Sequence, residues 1–509
     1  MLICVSLKKM VLGDMKWEVE ENQSFIVSYL YIINTIIAAD VLAIPWAYQE
    51  AGWVAGLLSQ ALASVFAIII AFLLVQSLSR MEVLAELSEK GYTIKPLSFK
   101  DFFKKTDPEQ FVQPPTESDS EDEHLSMIME YSAATPKITH RRFDFTEMAN
   151  VLLGKKGGLC FIVIIAIVQY STLAGFASII STSLTSLVPL GPMEACNIYD
   201  EPDFFGSCRI NYWTYLLIFA GLAVFLVMLG LHNQVLWQTS ASVLRFLTIL
   251  VMIATCSAAL GTNSNLEDSG SNKGGNVDTF NILGFASAFP MITLVMYFHN
   301  TIPNTTQFLH NKGQNLMPAI IGSIITVSVL LSVIGIVLTA SVSNVETLAT
   351  LNWNEYSAGE NSSDRAWWAY LVAFFIGLYP AVDVLSAYPL DAINLSDNLI
   401  SWKYGHISGE DLSKKTYFFF RLLVGIPPLV AAFFVYDISD YLEVAGTFSV
   451  IMIGVFIPLF DLATRKMLPM TSQYDLLSYP DKWAWAIIII SLIQFPFFVT
   501  CQIIVWMGF

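Results

Sequence analysis

"NTIIAADVLAIPWAYQEAGW", residues 34–53, opens as an apolar helix and closes on a Trp suited to a membrane interface, yet Asp40 stands in its middle and Pro45 follows. An ionisable group near the centre of a bilayer costs at least about 2.5–3.5 kcal/mol on insertion scales, so it faces a cavity or a partner. A proline at that depth removes a backbone donor and marks an interruption. The small residues Ala38 and Ala39 before it leave the main chain accessible to a ligand.

The rest of the chain makes the bilayer the solvent. Of 509 residues, 55% are hydrophobic and 13% charged, with a mean hydropathy of +0.59, too apolar for a water-soluble core of this size. A span needs about 20 mostly apolar residues, and eleven such stretches occur: 25–48, 53–79, 158–183, 212–230, 236–260, 280–303, 316–341, 366–390, 417–436, 441–463 and 482–506. None alternates with period two, which argues against a β-barrel. The fold class is therefore an all-α polytopic membrane protein.

Lys and Arg set the orientation. With the N-terminus cytosolic, inside segments hold 21 basic residues and outside loops only Arg209, Lys273 and Arg365, a strong positive-inside bias that puts the C-terminus on the non-cytosolic side. The start "MLICVSLKKM" lacks a leader's apolar core, so the first span is expected to act as the insertion signal. The net charge of −16 resides in loops and gives no support for nucleic-acid binding. Cys196 and Cys208 share one outside loop, where oxidation is permitted, and are expected to form a disulfide. In this topology Asn361, in "NSS", is the sequon placed for glycosylation. The stretch 81–142, with "PPTESDSEDEHLS", reads as a disordered acidic cytosolic loop and a possible docking place for protein partners. Its far end, with Phe145, Met148 and Val151–Leu152 on one face, reads as a short surface helix stopped by glycine.

Span 6, "FASAFPMITLVMYFHNTIPNTTQF", carries Pro290, Pro303, His299 and Asn300. Spans 1 and 6 are equivalent members of two groups of five, and paired interruptions at corresponding places point to inverted repeats with the substrate site between them. The expected organisation is a 1–24 cytosolic tail, a first repeat over 25–260, a second over 280–463 and an additional helix 11 over 482–506. Span 8 holds Asp383 and Ser386, and span 5 holds Arg245; Asp40, Asp383 and Arg245 are expected to neutralise one another as a coupling switch.

These residues resemble the amino acid/auxin permease family. Asn34, Leu42, Pro45, Ala47, Ala51, Gly52 and Trp53 match its first-helix signature, "DFTEMANVLLGKKGG" is similar to the approach to its third helix, and "YFHNTIP" to its sixth. The acidic loop and "YPAVDVLSAYPLDAINLSDNL" are most similar to the transmembrane-protein-104-like branch. The resemblance implies a leucine-transporter-like fold and symport of amino acids with H+ or Na+, with no other cofactor. It implies substrate contacts at Ala38, Ala39, Asp40, Tyr297, His299 and Asn300, with Gln169 and Tyr170 as walls, and an ion site near Asn34 and Ser386. The family's Gly-x-Gly is Ala38-Ala39-Asp40 here, which puts a carboxylate where relatives keep bare backbone. That carboxylate suits a cationic substrate or a coupled proton, and Arg245 suits the place of an ion.

The functional expectation is a secondary active transporter of amino acids or related small amines in a plasma or endolysosomal (vacuolar) membrane. The alternative is an amino acid sensor that signals through its cytosolic loop. An enzyme is not expected, since the six histidines are scattered and no nucleophile, zinc or phosphate-loop motif appears. Expressed in eukaryotic cells, the wild type should give a glycosidase-sensitive band on a gel that Asn361→Gln lacks; insensitivity of the wild type would count against the orientation.

Overall fold

The computed structural model describes residues 24–507 except 105–106, 115–137, 139–140, 142, 191–193, 201–204, 230–234, 263–265, 267–277, 304–305, 307–308, 359–364, 405–412 and 476–480. Asn361 lies outside the described residues.

Among the described residues, ten helices long and apolar enough to cross a membrane and one bent pair, taken as one span, follow in order. They are α1 (Phe25–Ile36 and Ala39–Ala51), α2 (Trp53–Glu89), α3 (Phe145–Leu187), α4 (Ser207–Leu229), α5 (Val235–Thr262) and α6, whose first half is Ile282–Val295. Then come α7 (Lys312–Ser341), α8 (Trp367–Tyr404), α9 (Lys414–Phe434), α10 (Ile438–Met467) and α11 (Asp481–Trp506). The architecture is two five-helix groups, each with a broken first helix, followed by one appended helix.

The two halves of α1 meet at 53°. The bend is at Ile37 and Ala38, where ψ turns to 81° and the chain becomes extended. Pro45 is not the breaker: it sits in the first turn of the second α-helical stretch, Ile44–Ala51, where its missing N–H costs nothing. In α6 the helix stops at Val295, and a 3-10 turn at His299–Thr301 resumes the span. Asn281 starts that helix by accepting from the Leu283 amide at 3.1 Å.

The second half of α1 packs tightly against the first half of α6, which in turn meets α10. A Cβ at Gly284 would collide with the Glu50 carbonyl, and one at Gly446 with the Pro290 carbonyl. Both contacts are backbone on backbone, the close approach that small residues permit in a bilayer. Ala51 is fully buried in this seam and its carbonyl accepts from the Asn281 amide, while Tyr48, also fully buried, packs its ring on Gly56 of α2 and Gly335 of α7. The half of the molecule on the disulfide side is thus closed.

The disulfide Cys196–Cys208 ties the connection after α3 to the first turn of α4. The amphipathic stretch before α3 is present with Phe145, Met148 and Leu152 buried, and Gly154, at φ 71°, joins it to the span as a kink. The beginning of the expected disordered loop, by contrast, is ordered. Residues 81–89 continue α2, and Thr93–Ile94 pairs antiparallel with Val112–Gln113.

That ordered segment is anchored by charge. Lys466 Nζ donates to the carbonyls of Asp101, Phe102 and Lys104 at 2.7–2.9 Å, and Phe103 stacks on Trp485 at 4.9 Å. The Ser98 hydroxyl and amide both donate to the Asp101 carboxylate and hold it below the usual carboxylate range. Beneath it Arg80, only 2% exposed, donates to Asp475 at 2.8 Å and to Asp461 at 3.4 Å; Arg465 also reaches Asp461 at 2.8 Å. Tyr92, Leu97, Phe102, Phe111 and Val112 are buried against the rest of the molecule, contacts with distant segments that local composition does not reveal.

Breaking a buried pair from one side leaves the other charge uncompensated, at a cost of about 3–5 kcal/mol. Arg80→Ala should lower the unfolding temperature of the detergent-solubilised protein clearly. An unchanged temperature would show that the network contributes nothing.

Candidate substrate cavity

A cavity of about 400 Å3 opens where α1 is interrupted, bounded by α1, α3, α5, α6 and α8. Its mouth lies between the first half of α1, which supplies Tyr31, Asn34 and Thr35, and the second half of α8, which supplies Asn394. Tyr31, Asn300 and Asn394 are exposed there. The glycine-packed seam closes the opposite side, so the cavity has one open end, toward the face where α1 begins and α2 ends.

Interrupting α1 frees carbonyls that no helix turn satisfies, a large penalty in a membrane unless another group supplies donors. Arg245 supplies them. Its Nη1 donates to Asn34 O at 2.9 Å and to Ile37 O, while Nε and Nη2 hold Asp383 Oδ1 at 3.2 and 2.6 Å. The planar fork of guanidinium suits such divided work; an ammonium does not offer that geometry. Ser386 donates to the Asp383 carbonyl at 2.8 Å one turn along α8.

The structure brings Asn34, Ala38, Asp40, Gln169, Arg245, Tyr297, Asn300 and Ser386 together on the cavity wall. It does not bring all the expected residues there. His299 is fully buried behind the wall, with its ring nitrogen 3.0 Å from the Ala67 carbonyl of α2 and its ring against Phe298. Tyr170 turns away and donates to the Leu423 carbonyl of α9 at 2.8 Å. Ala39 is buried in the packing, and Asp383 stands behind Arg245 rather than on the lining.

Of the three expected to neutralise one another, Arg245 and Asp383 are in direct contact, while Asp40 makes no salt bridge to Arg245 among the described residues and feels its charge at longer range. Asp40 is 8% exposed, its Oδ1 accepts no hydrogen bond from the protein, and its carboxylate accepts from its own amide.

A second carboxylate was missed. Asp391 lines the cavity on α8 and interacts electrostatically with Asp40. The signal was present: Ser386, Ala387, Leu390, Asp391 and Asn394 recur at three- and four-residue spacing, one face of a helix. Ending span 8 at residue 390 hid it, because a bilayer-length window stops where hydropathy falls, whereas α8 continues to Tyr404.

Comparisons with known proteins find distant similarities. Residues 21–93, covering α1 and α2, match the family model described as transmembrane amino acid transporter protein. Over that stretch the chain is similar to the transmembrane amino acid transporter family. It is 24% identical to a transmembrane protein 104 homologue of Dictyostelium discoideum, over 89% of this chain and 91% of that one. It is 22% identical to mouse transmembrane protein 104, over 87% and 88%, and 20% identical to the Drosophila melanogaster homologue, over 87% and 88%. A crystal structure of a manganese transporter mutant from Eremococcus coleocola aligns over 98% of this chain and 91% of that one, at 9% identity and a TM-score of 0.49. The fold assignment rests on the helix order and the two breaks described above.

The Arg245 bridge implies a ranked series. Arg245→Lys keeps the charge but loses the fork, and Arg245→Met leaves Asp383 buried and unpaired, at about 3–5 kcal/mol. Unfolding temperatures in detergent should fall in the order wild type, Lys, Met; equal values for Lys and wild type would show that charge alone suffices.

Proposed function

We propose that this chain is a membrane transporter that moves amino acids or related small amines by alternating access, with the proton rather than Na+ as its coupling ion. The observation that carries the coupling is Arg245. Its guanidinium occupies the space between α1 and α8, bound to carbonyls of one and a carboxylate of the other. The resemblance to sodium-coupled carriers places their ion in that space, and a fixed positive charge there makes a bound Na+ redundant.

With the Lys- and Arg-rich face cytosolic, the cavity is open inward and the glycine seam is the closed outer gate. Asp40 then stands at the interruption, reachable from the cytosolic side and able to take up a proton. Movement of the substrate would require the first half of α1 to close over the cavity while the seam of α1, α6 and α10 parts.

Reconstitution into proteoliposomes tests the reading. Uptake of a labelled panel of amino acids and amines should follow an imposed pH gradient, ignore a Na+ gradient, and lose its pH coupling in Asp40→Asn. Flux driven by Na+ alone would overturn the coupling. Binding without flux under any gradient would instead make the chain a sensor.

A further inference from the structure

The charges around the cavity do not match an amino acid. A zwitterion needs an anionic place for its ammonium and a cationic or amide-rich place for its carboxylate. Among the described lining residues Arg245 is the only basic one, and it is committed to Asp383 and to the carbonyls of α1. Asn300, Asn394 and Gln169 are neutral.

The other place for an anion is the start of the second half of α1, where helix amides and dipole favour negative charge. That place holds an anion of the protein's own. Asp40 lies in the first turn of this half-helix, and its carboxylate accepts from its own backbone amide. The Val41 amide is meanwhile bonded to Ala38 O at 3.3 Å. A substrate carboxylate arriving here would meet a tethered one.

Two negative groups remain for cations. Asp40 Oδ1 is buried and unpartnered on the cavity wall, and Asp391 faces the same space from α8 with no ion pair among the described residues. We propose that the substrates are amines lacking a carboxylate, diamines above all, held with one ammonium at Asp40 and the other at Asp391. This rests on the transport reading and narrows it: the protein supplies the carboxylate that an amino acid would bring.

Pairs of compounds that differ only by that carboxylate test it: cadaverine against lysine and agmatine against arginine. Binding to the detergent-solubilised full chain is followed by ligand-induced thermal shift, and flux by competition in proteoliposomes. The amine should bind at least about tenfold more tightly than its amino acid, a difference of about 1.4 kcal/mol. Asp391→Asn, which keeps the side chain's shape, should reduce that ratio to near unity, with an unliganded unfolding temperature close to wild type.

Tighter binding of lysine and arginine would overturn the proposal and leave amino acid transport standing. Tight cadaverine binding without flux would keep the proposal and remove the transport reading. Failure of either amine to bind at all would overturn the proposal, whatever the amino acids do. An amine preference unaltered in Asp391→Asn would also overturn it, since the second ammonium would then have no partner at that residue.

Discussion

The structure depends on one guanidinium. A helix broken inside a bilayer leaves backbone groups that neither water nor lipid can satisfy, and each such group costs several kcal/mol. Arg245 ties the end of the first half of α1 to the carboxylate of Asp383 on α8, so the break and the buried acid neutralise each other's cost. Removing the break would leave Arg245 short of acceptors, and removing Asp383 would leave a buried cation. The position of the first half of α1 against α8, and with it the cavity between them, follows from that bond set.

The same geometry divides the molecule into unlike halves. On the disulfide side, Gly284 and Gly446 bring backbones of α1, α6 and α10 into direct contact, and dispersion over that surface replaces the hydrophobic effect that lipid cannot provide. On the other side, contact is polar and discontinuous. Much of the first half of α1 is exposed, including Ile26, Leu30 and Tyr31, and beyond the Arg245 bridge it is held chiefly by α7. A tightly packed gate opposite a loosely held one is the asymmetry an alternating-access carrier needs in one of its end states.

Much of this was legible in the sequence because the signals were local. The break at Asp40 announced itself by a charge at span depth, the eleven spans by hydropathy, and the disulfide by two cysteines sharing one loop. Arg245 and Asp383 stood out as charges in apolar runs, although their pairing to the exclusion of Asp40 depends on helix rotation, which no local pattern carries. His299 misled for that reason: its place beside a break said nothing about which way its ring pointed, and it turns to the Ala67 carbonyl. Asp391 was missed because an acid beyond the end of an apolar window reads as solvated. The ordered part of the α2–α3 connection was missed because Lys466, which binds it, is far away in sequence.

Asp40 can now be weighed as a structural residue. Inserting it costs at least about 2.5–3.5 kcal/mol, and a helix N-terminus returns typically about 0.3–1 kcal/mol to a nearby carboxylate and at most about 2. A bond to its own amide adds a modest amount, and Arg245 is already taken. Asn at this position would keep a polar acceptor at the turn without the charge, so helix capping alone does not call for an acid. The oxygen left without a protein partner faces the cavity together with Asp391, where a second acid adds repulsion instead of relief. Two carboxylates that repel each other across a low-dielectric cavity are what the proposed binding of a cation between them would relieve, and fold stability alone supplies no comparable reason for a charge in the middle of the first span.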